Sequence, residues 1–220
     1  MHAATATQPT PAPKRPTHSG AVTPRVATCE PRRRAKLLAA YQTAFGWVRA
    51  TEAWLQRWLR SPSLRREWNA GFVGRLFGPF RPRRVRKLVA VVRGVLGRFT
   101  QGYTSGGKTT PATLMCFPAS YHRCRTGLLG NANIFGTLRF CPRLLERGVP
   151  DVAKVVLHEM LYQGLGVGDR RHDSCQGSKH RCYREGALAL VESGRYDLAA
   201  RNIDNFVALM RHVATRAPVS

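Results

Sequence analysis

KVVLHEMLYQ, residues 154–163, is the stretch on which the reading of the whole chain turns. Val155, Val156 and Met160, with Val152 just before them, supply one apolar side of a helix, and Asp151 stands near its start, where a carboxylate suits the helix dipole. That leaves His158, Glu159 and Tyr162 aimed away from the core. Residues one turn apart share a helix face. Metal-binding helices of the HExxH kind use that spacing to place two imidazoles on one ion, with the intervening Glu as general base. Here the position one turn after His158 is Tyr162, so the segment reads HExxY. By itself it fits two descriptions: a helix histidine beside a solvated glutamate, or a metal helix with an altered ligand.

The neighbourhood of the pair bears on that choice. After Gly164 the chain runs GLGVGDRRHDSCQGSKH, whose glycines permit a sharp reversal and whose Asp169, His172, Asp173 and His180 are all of ligand type. Before the helix comes LRFCPRLL (Leu138 to Leu145); after it come GSKHRCY (Gly177 to Tyr183) and NIDNF (Asn202 to Phe206). In that order and spacing the four elements resemble the deuterolysin and peptidyl-Lys metalloendopeptidase family, the aspzincins. Those proteins carry a Cys-Pro hairpin, an HExxH helix, a Gly-Thr-x-Asp-x-x-Tyr loop and an Asn-Ala-Asp-x-Tyr helix. The resemblance spans roughly residues 36 to 214, and no motif is intact.

The resemblance implies a mainly helical α+β domain of zincin type, with a small antiparallel sheet and an active-site helix, acting as a zinc metalloendopeptidase on peptide or protein substrates. It places the third ligand at His180, in place of Asp, and makes Tyr183 the donor to the oxyanion of the scissile carbonyl. Glu159 becomes the base on a zinc water. Three arrangements of the site stay open: zinc on His158, His180 and Tyr162; Asp173 or His172 replacing the lost ligand; or no metal at all. Asp204 falls on the acid that Lys-specific members use to hold a substrate lysine, but their second acid falls on Val207, so Lys preference is expected to be weak or absent. The same relatives are secreted and oxidised, which suits local bridges from Cys116 to Cys124 and from Cys175 to Cys182. Against secretion, residues 1–30 hold no apolar run of signal-peptide length, and no segment approaches a membrane span. A different true start, another export route, or an internal protein with reduced thiols are the open alternatives.

Outward from the site, the chain reads as one domain, 36–216, behind a disordered Ala/Thr/Pro-rich basic tail, 1–35. The front half, 36–100, holds two helices. The first, Ala35 to Arg60, has Leu38, Tyr41, Phe45, Val48, Leu55 and Leu59 inward and is thickened by Trp47, Trp54 and Trp58; the second, Pro82 to Phe99, is apolar on one side and Arg-rich on the other. Gly102 to Thr109, GYTSGGKT, matches the phosphate-loop pattern, but a helix precedes it and a strand follows, the reverse of what that motif needs, so a mobile loop is expected. Ala112 to Phe117 and Asn133 to Cys141 alternate as strands of the small sheet, 111–141, with Ile134 to Phe140 as its substrate-facing edge. The remainder, 150–216, carries the active-site helix, the ligand loop and two C-terminal helices broken at Ser193 and Gly194.

Charge is the compositional outlier. The 220 residues carry 36 basic and 12 acidic side chains, a net +24, and residues 1–100 alone account for 20 basic against 3 acidic. Such a field attracts nucleic acid, anionic lipid or acidic protein, and it is equally the signature of a chain that uses Arg for any solvated position. An alternative function follows: a catalytically inactive relative that binds a polyanionic or protein partner through its Arg-rich surface.

Overall fold

The computed structural model describes residues 20–61, 65–133, 135–162, 165, 167–169, 175 and 182–216. The long first helix, α1 (Pro31–Arg60), organises the rest. Proline at its first turn fixes a helical φ, and Leu37, Tyr41, Ala44, Val48, Thr51, Leu55 and Trp58 recur every three or four residues to form one buried stripe. Against that stripe pack α4 (Pro82–Thr100), α7 (Val149–Leu161) and α10 (Ile203–Arg216). The expected inward face is largely as read, except that Leu59 is exposed and Leu37, not Leu38, is the fully buried residue.

Between α1 and α4 lie α2 (Arg65–Ala70) and α3 (Phe72–Phe77). Trp68 is fully buried there, stacked edge-on between Trp58 at 5.5 Å and Phe80 at 5.6 Å, and its indole N–H donates to the Gly78 carbonyl at 2.9 Å. Burying both the ring and its one polar atom in satisfied positions locks the end of α1 to the turn before α4.

The sheet is four-stranded, in the order β1 (Arg25–Ala27), β4 (Thr113–Cys116), β6 (Thr137–Phe140), β5 (Gly130–Ala132). The α+β class is as expected, but the sheet is mixed where an antiparallel one was expected. β1 and β6 both run parallel to β4, and only β5 runs antiparallel to β6. The edge facing α7 is therefore β5, and the segment Ile134 to Phe140 supplies the interior strand β6; Ile134 itself lies outside the described residues. Likewise residues 20–35 of the expected tail, 1–35, belong to the fold, and residues 1–19 lie outside the described residues. β1 pairs Val26 with Leu114, and Cys29 bonds to Cys116, because Val26 and Cys29 bring enough apolar contact to join the core. GYTSGGKT folds as a hairpin of β2 (Tyr103–Ser105) and β3 (Lys108–Thr110), with positive φ at both Gly106 and Gly107, as a two-residue turn of the primed kind demands. No backbone cradle for phosphate is formed.

The disulfides also differ from expectation. Cys116 pairs with Cys29 and Cys124 with Cys141, so the local Cys116–Cys124 bridge is replaced by two longer ones, whereas Cys175–Cys182 is as expected. Short α5 (His122–Arg125) and α6 (Pro142–Leu145) carry Cys124 and flank Cys141 respectively, pinning the loop before β5 to the end of β6. After the site loop, a 3-10 turn (Arg184–Ala187), α8 (Ala189–Glu192) and α9 (Tyr196–Ala199) lead into α10, with the break at Ser193 and Gly194. Among the described residues no helix is long and apolar enough to cross a membrane.

Loop-closure entropy ranks the bridges. Cys29–Cys116 spans 87 residues and Cys175–Cys182 spans 7. Replacing the first pair with Ser is expected to lower the unfolding free energy by about 4.6 kcal/mol, and the second by about 2.4 kcal/mol. Urea titration of the two double variants checks this ranking, and equal losses would contradict the anchoring of β1.

Candidate metal centre

The site is assembled from α7, a loop and α10. On α7, Val152, Ala153, Val156, Leu157, Met160 and Leu161 are buried, the i, i+3, i+4, i+7 set of a helix with one face in the core. Pro150 and Asp151 lie in its first turn, where Asp151 accepts from Lys154 at 2.8 Å. Arg98, at the end of α4, donates to the Met160 carbonyl and so satisfies one of the orphan acceptors at the C-terminus of α7. With its face fixed, α7 directs His158 and Glu159 towards the sheet and α10.

His158 is bracketed by carboxylates. Its Nδ1 is 3.0 Å from Asp204 Oδ1, and its Nε2 is 3.6 Å from Asp169 Oδ1. The other oxygen of Asp169 accepts from the Tyr183 hydroxyl at 2.8 Å. Burial works against protonation of His158, but the Asp204 hydrogen bond and the charges of Glu159, Asp204 and Asp169 outweigh it, and its pKa is raised. Glu159 is buried, and burial is the main reason its carboxyl is pushed up to about 7; His158 lowers it and Asp169 raises it further. Overhead runs β5: a methyl group added at Gly130 would stand 3.1 Å from Glu159 Oε1 and 3.0 Å from Val155, so a side chain there would have to push both aside by a few tenths of an ångström.

Asn202 fixes the other two walls. Its side-chain oxygen accepts from the Asn205 N–H at 3.2 Å, which caps α10, while its amide donates to the Cys182 carbonyl at 2.8 Å. On the backbone, Gly168 donates to the Arg201 carbonyl at 2.9 Å and accepts from the Ile203 N–H at 3.3 Å. The residues before Asp169, before Tyr183 and before Asp204 are thus tied to the same helix start. Asn205 is buried too, donating to the carbonyls of Leu76 and Ala199.

Of the residues singled out in the sequence, His158, Glu159, Tyr183 and Asp204 are brought together. Tyr162 caps the end of α7, is 46% exposed and has its ring centre 6.2 Å from that of His158. His180, His172 and Asp173 lie outside the described residues. Asp204, expected to hold a substrate lysine, meets the imidazole through Oδ1. Asp169 is the residue that sequence reasoning undervalued: it was one loop candidate among four, and the loop motif was placed on Gly177 to Tyr183. The signal was present, because Gly166 to Asp169 has the same Gly-x-x-Asp spacing and requires no exchange of ligand type.

Among the described residues no group of three His, Cys, Asp or Glu side chains converges to hold a metal ion. The two donors that do approach each other suit zinc. Bonds of about 2.0 to 2.2 Å at tetrahedral angles put neighbouring ligand atoms about 3.4 Å apart, close to the 3.6 Å between His158 Nε2 and Asp169 Oδ1. The Asp204 carboxylate on Nδ1 leaves Nε2 as the free donor, the arrangement that orients imidazole ligands in metal sites.

Comparison with known proteins agrees at the level of fold. The chain is similar in structure to a zinc peptidase from Grifola frondosa, with a TM-score of 0.57 and 16% sequence identity over 84% of this chain and 97% of that one. No protein-family model and no curated protein sequence matches. The fold, mostly helical with a small sheet, is similar to that of a zinc peptidase.

The raised carboxyl of Glu159 has a consequence for stability. In the unfolded chain it ionises in the ordinary carboxylate range, whereas in the folded protein it keeps its proton to about pH 7. Between those values the folded state binds more protons, so stability falls as pH rises and levels off above about 7. Chelator-treated protein is expected to lose about 3 kcal/mol over that window relative to a Glu159→Gln variant. Denaturant titrations at several pH values check it, and a constant difference between the two proteins would contradict it.

Proposed function

We infer that the chain is a zinc metalloendopeptidase-like protein that hydrolyses peptide bonds, with His158 and Asp169 as two of its zinc ligands. One observation carries the reading: the 3.6 Å between His158 Nε2 and Asp169 Oδ1, with the Glu159 carboxyl on the next residue of the same helix. A further ligand is assigned to the loop 170–181, where His172, Asp173 and His180 are the residues of ligand type.

Zinc, when bound, supplies a Lewis acid that polarises the scissile carbonyl and makes a water acidic near neutral pH. The chain's own residues do the rest. Glu159, with a pKa of about 7, is poised to accept a proton from the attacking water and return it to the departing amine. Asp204 holds the His158 ring through Nδ1, and Tyr183 holds Asp169 through Oδ2, so the phenol expected to serve the oxyanion is assigned to fixing a ligand. β5, the edge strand above Glu159 among the described residues, supports the peptide as substrate, because an extended chain can add to it as a further strand.

A second reading has its own observation. Carboxylates face both ring nitrogens of His158, whose pKa is raised, so a doubly protonated imidazolium between Asp204 and Asp169 would satisfy the site without metal. The protein would then be an inactive relative that works by binding a partner.

Zinc analysis separates the two. After chelation and reloading, the wild type is expected to retain one zinc, His158→Ala and Asp169→Ala to lose it, and Glu159→Gln to retain it while casein hydrolysis drops by at least about 100-fold. Equal zinc in all four proteins, or none in the wild type, would overturn the peptidase reading.

A further inference from the structure

The excess charge is not spread evenly. Residues 57–86 contain nine Arg and a single acid, Glu67. α1 and α4 run antiparallel, since Tyr41 meets Phe99 at 4.7 Å and Glu52 pairs with Arg93 at 3.0 Å. The end of α1 and the start of α4 therefore share one end of the molecule, and the ladder Trp58, Trp68, Phe80 holds α2 against both. Arg60, Arg65, Arg66, Arg81, Arg83 and Arg86 are all exposed there, and among the described residues none of them pairs with a carboxylate. Arg65 lies over the Phe80 ring at 5.5 Å, a stacked pose that holds its guanidinium in place. α4 has no acid in its first turn and begins Pro82-Arg83-Arg84, cations where the helix dipole favours anions. Like charges are thus crowded at this end, with Glu67 the one acid on these three helical segments among the described residues.

We propose that this end of the molecule, formed by the C-terminus of α1, α2 and the start of α4, binds the phosphate backbone of nucleic acid without reading its sequence. The cations are guanidinia, which pair with phosphate through two parallel N–H bonds. They are spread over three elements, which suits a polymer of evenly spaced charges better than a single carboxylate. Of the large apolar side chains exposed among the described residues, only Leu59 belongs to this end, which leaves little to insert into a lipid surface. The patch is remote from His158: Arg83 and Arg98 lie at opposite ends of α4, about 22 Å apart at 1.5 Å per residue, and Arg98 is the one that reaches α7.

The test is fluorescence anisotropy of the full chain with a labelled 20-base-pair duplex, from 50 to 300 mM NaCl. Four to five phosphate contacts predict a slope of log affinity against log salt of about −4. The triple variant Arg81→Ala, Arg83→Ala, Arg86→Ala is expected to flatten that slope by about 2 to 3 and to weaken binding about 100-fold at 100 mM salt. A charge-matched control on α5 and α6, Arg123→Ala, Arg125→Ala, Arg143→Ala, is expected to change affinity less than about 3-fold; thermal unfolding of both variants reports that each is folded. Should the patch triple fail to fold, the Gln triple at the same positions takes its place. Absence of duplex binding, an equal loss in the two triples, or tighter binding of phosphatidylserine vesicles or poly-glutamate than of duplex would each overturn the proposal.

Discussion

The imidazole of His158 joins parts of the chain that are far apart in sequence. Through Nδ1 it meets Asp204 on α10, and through Nε2 it faces Asp169 on the loop between. Three acidic groups, Glu159 included, stand around one ring that is largely shielded from water; a proton on Glu159 relieves part of their mutual repulsion, and a cation between Asp204 and Asp169 relieves the rest. Zinc on Nε2 or a second proton on the ring would each supply it. Everything else at this end of the molecule serves to hold that cluster together: the apolar face of α7 in the core, the Asn202 cap that ties the loop to α10, and the strand β5 packed over Glu159 at Gly130.

The same arrangement explains which parts of the fold were legible in advance. Periodicity located α1, α4 and α7, because each buries one stripe along many turns and the spacing of apolar residues records that directly. What the sequence could not show was pairing at a distance. β1 has three residues and a neighbourhood rich in Pro and Thr, so locally it resembles a tail; it is a strand because β4 is there to receive it and Cys29 reaches Cys116. Cysteine spacing suggested the bridge that closes a short loop, Cys175–Cys182, and failed for Cys116, whose partner is 87 residues away. In the sheet, alternation marked strands correctly but carries no information about order, and so the interior strand β6 was read as the edge that is in fact β5.

At the site, types of residue are legible in the sequence and the contacts between them are not. His158 and Glu159 stand out by their spacing from a missing partner, and Tyr183 and Asp204 by their places in recurring motifs. Asp204, expected to hold a substrate cation, has its Oδ1 on the imidazole, and Tyr183, expected to serve the oxyanion, donates its hydroxyl to Asp169. The Tyr183 contact depends on the position of Asp169, which follows from the backbone bonds of Gly168 to the start of α10; the Gly-x-x-Asp spacing marks the residue, and only the fold shows where it sits. Asn202 is the other residue that only the fold reveals: a buried amide whose two ends serve a helix cap and a distant carbonyl.

The most direct test of the central claim, that His158 offers Nε2 to a metal it shares with Asp169, is the nitrogen NMR spectrum of the His158 ring while zinc is added to chelated protein near pH 7.5. The account predicts a ring protonated at Nδ1, where Asp204 accepts, and a large shift of Nε2 alone that saturates at one equivalent of zinc and is lost in an Asp169→Ala variant. A ring that carries protons on both nitrogens and ignores the metal would contradict it.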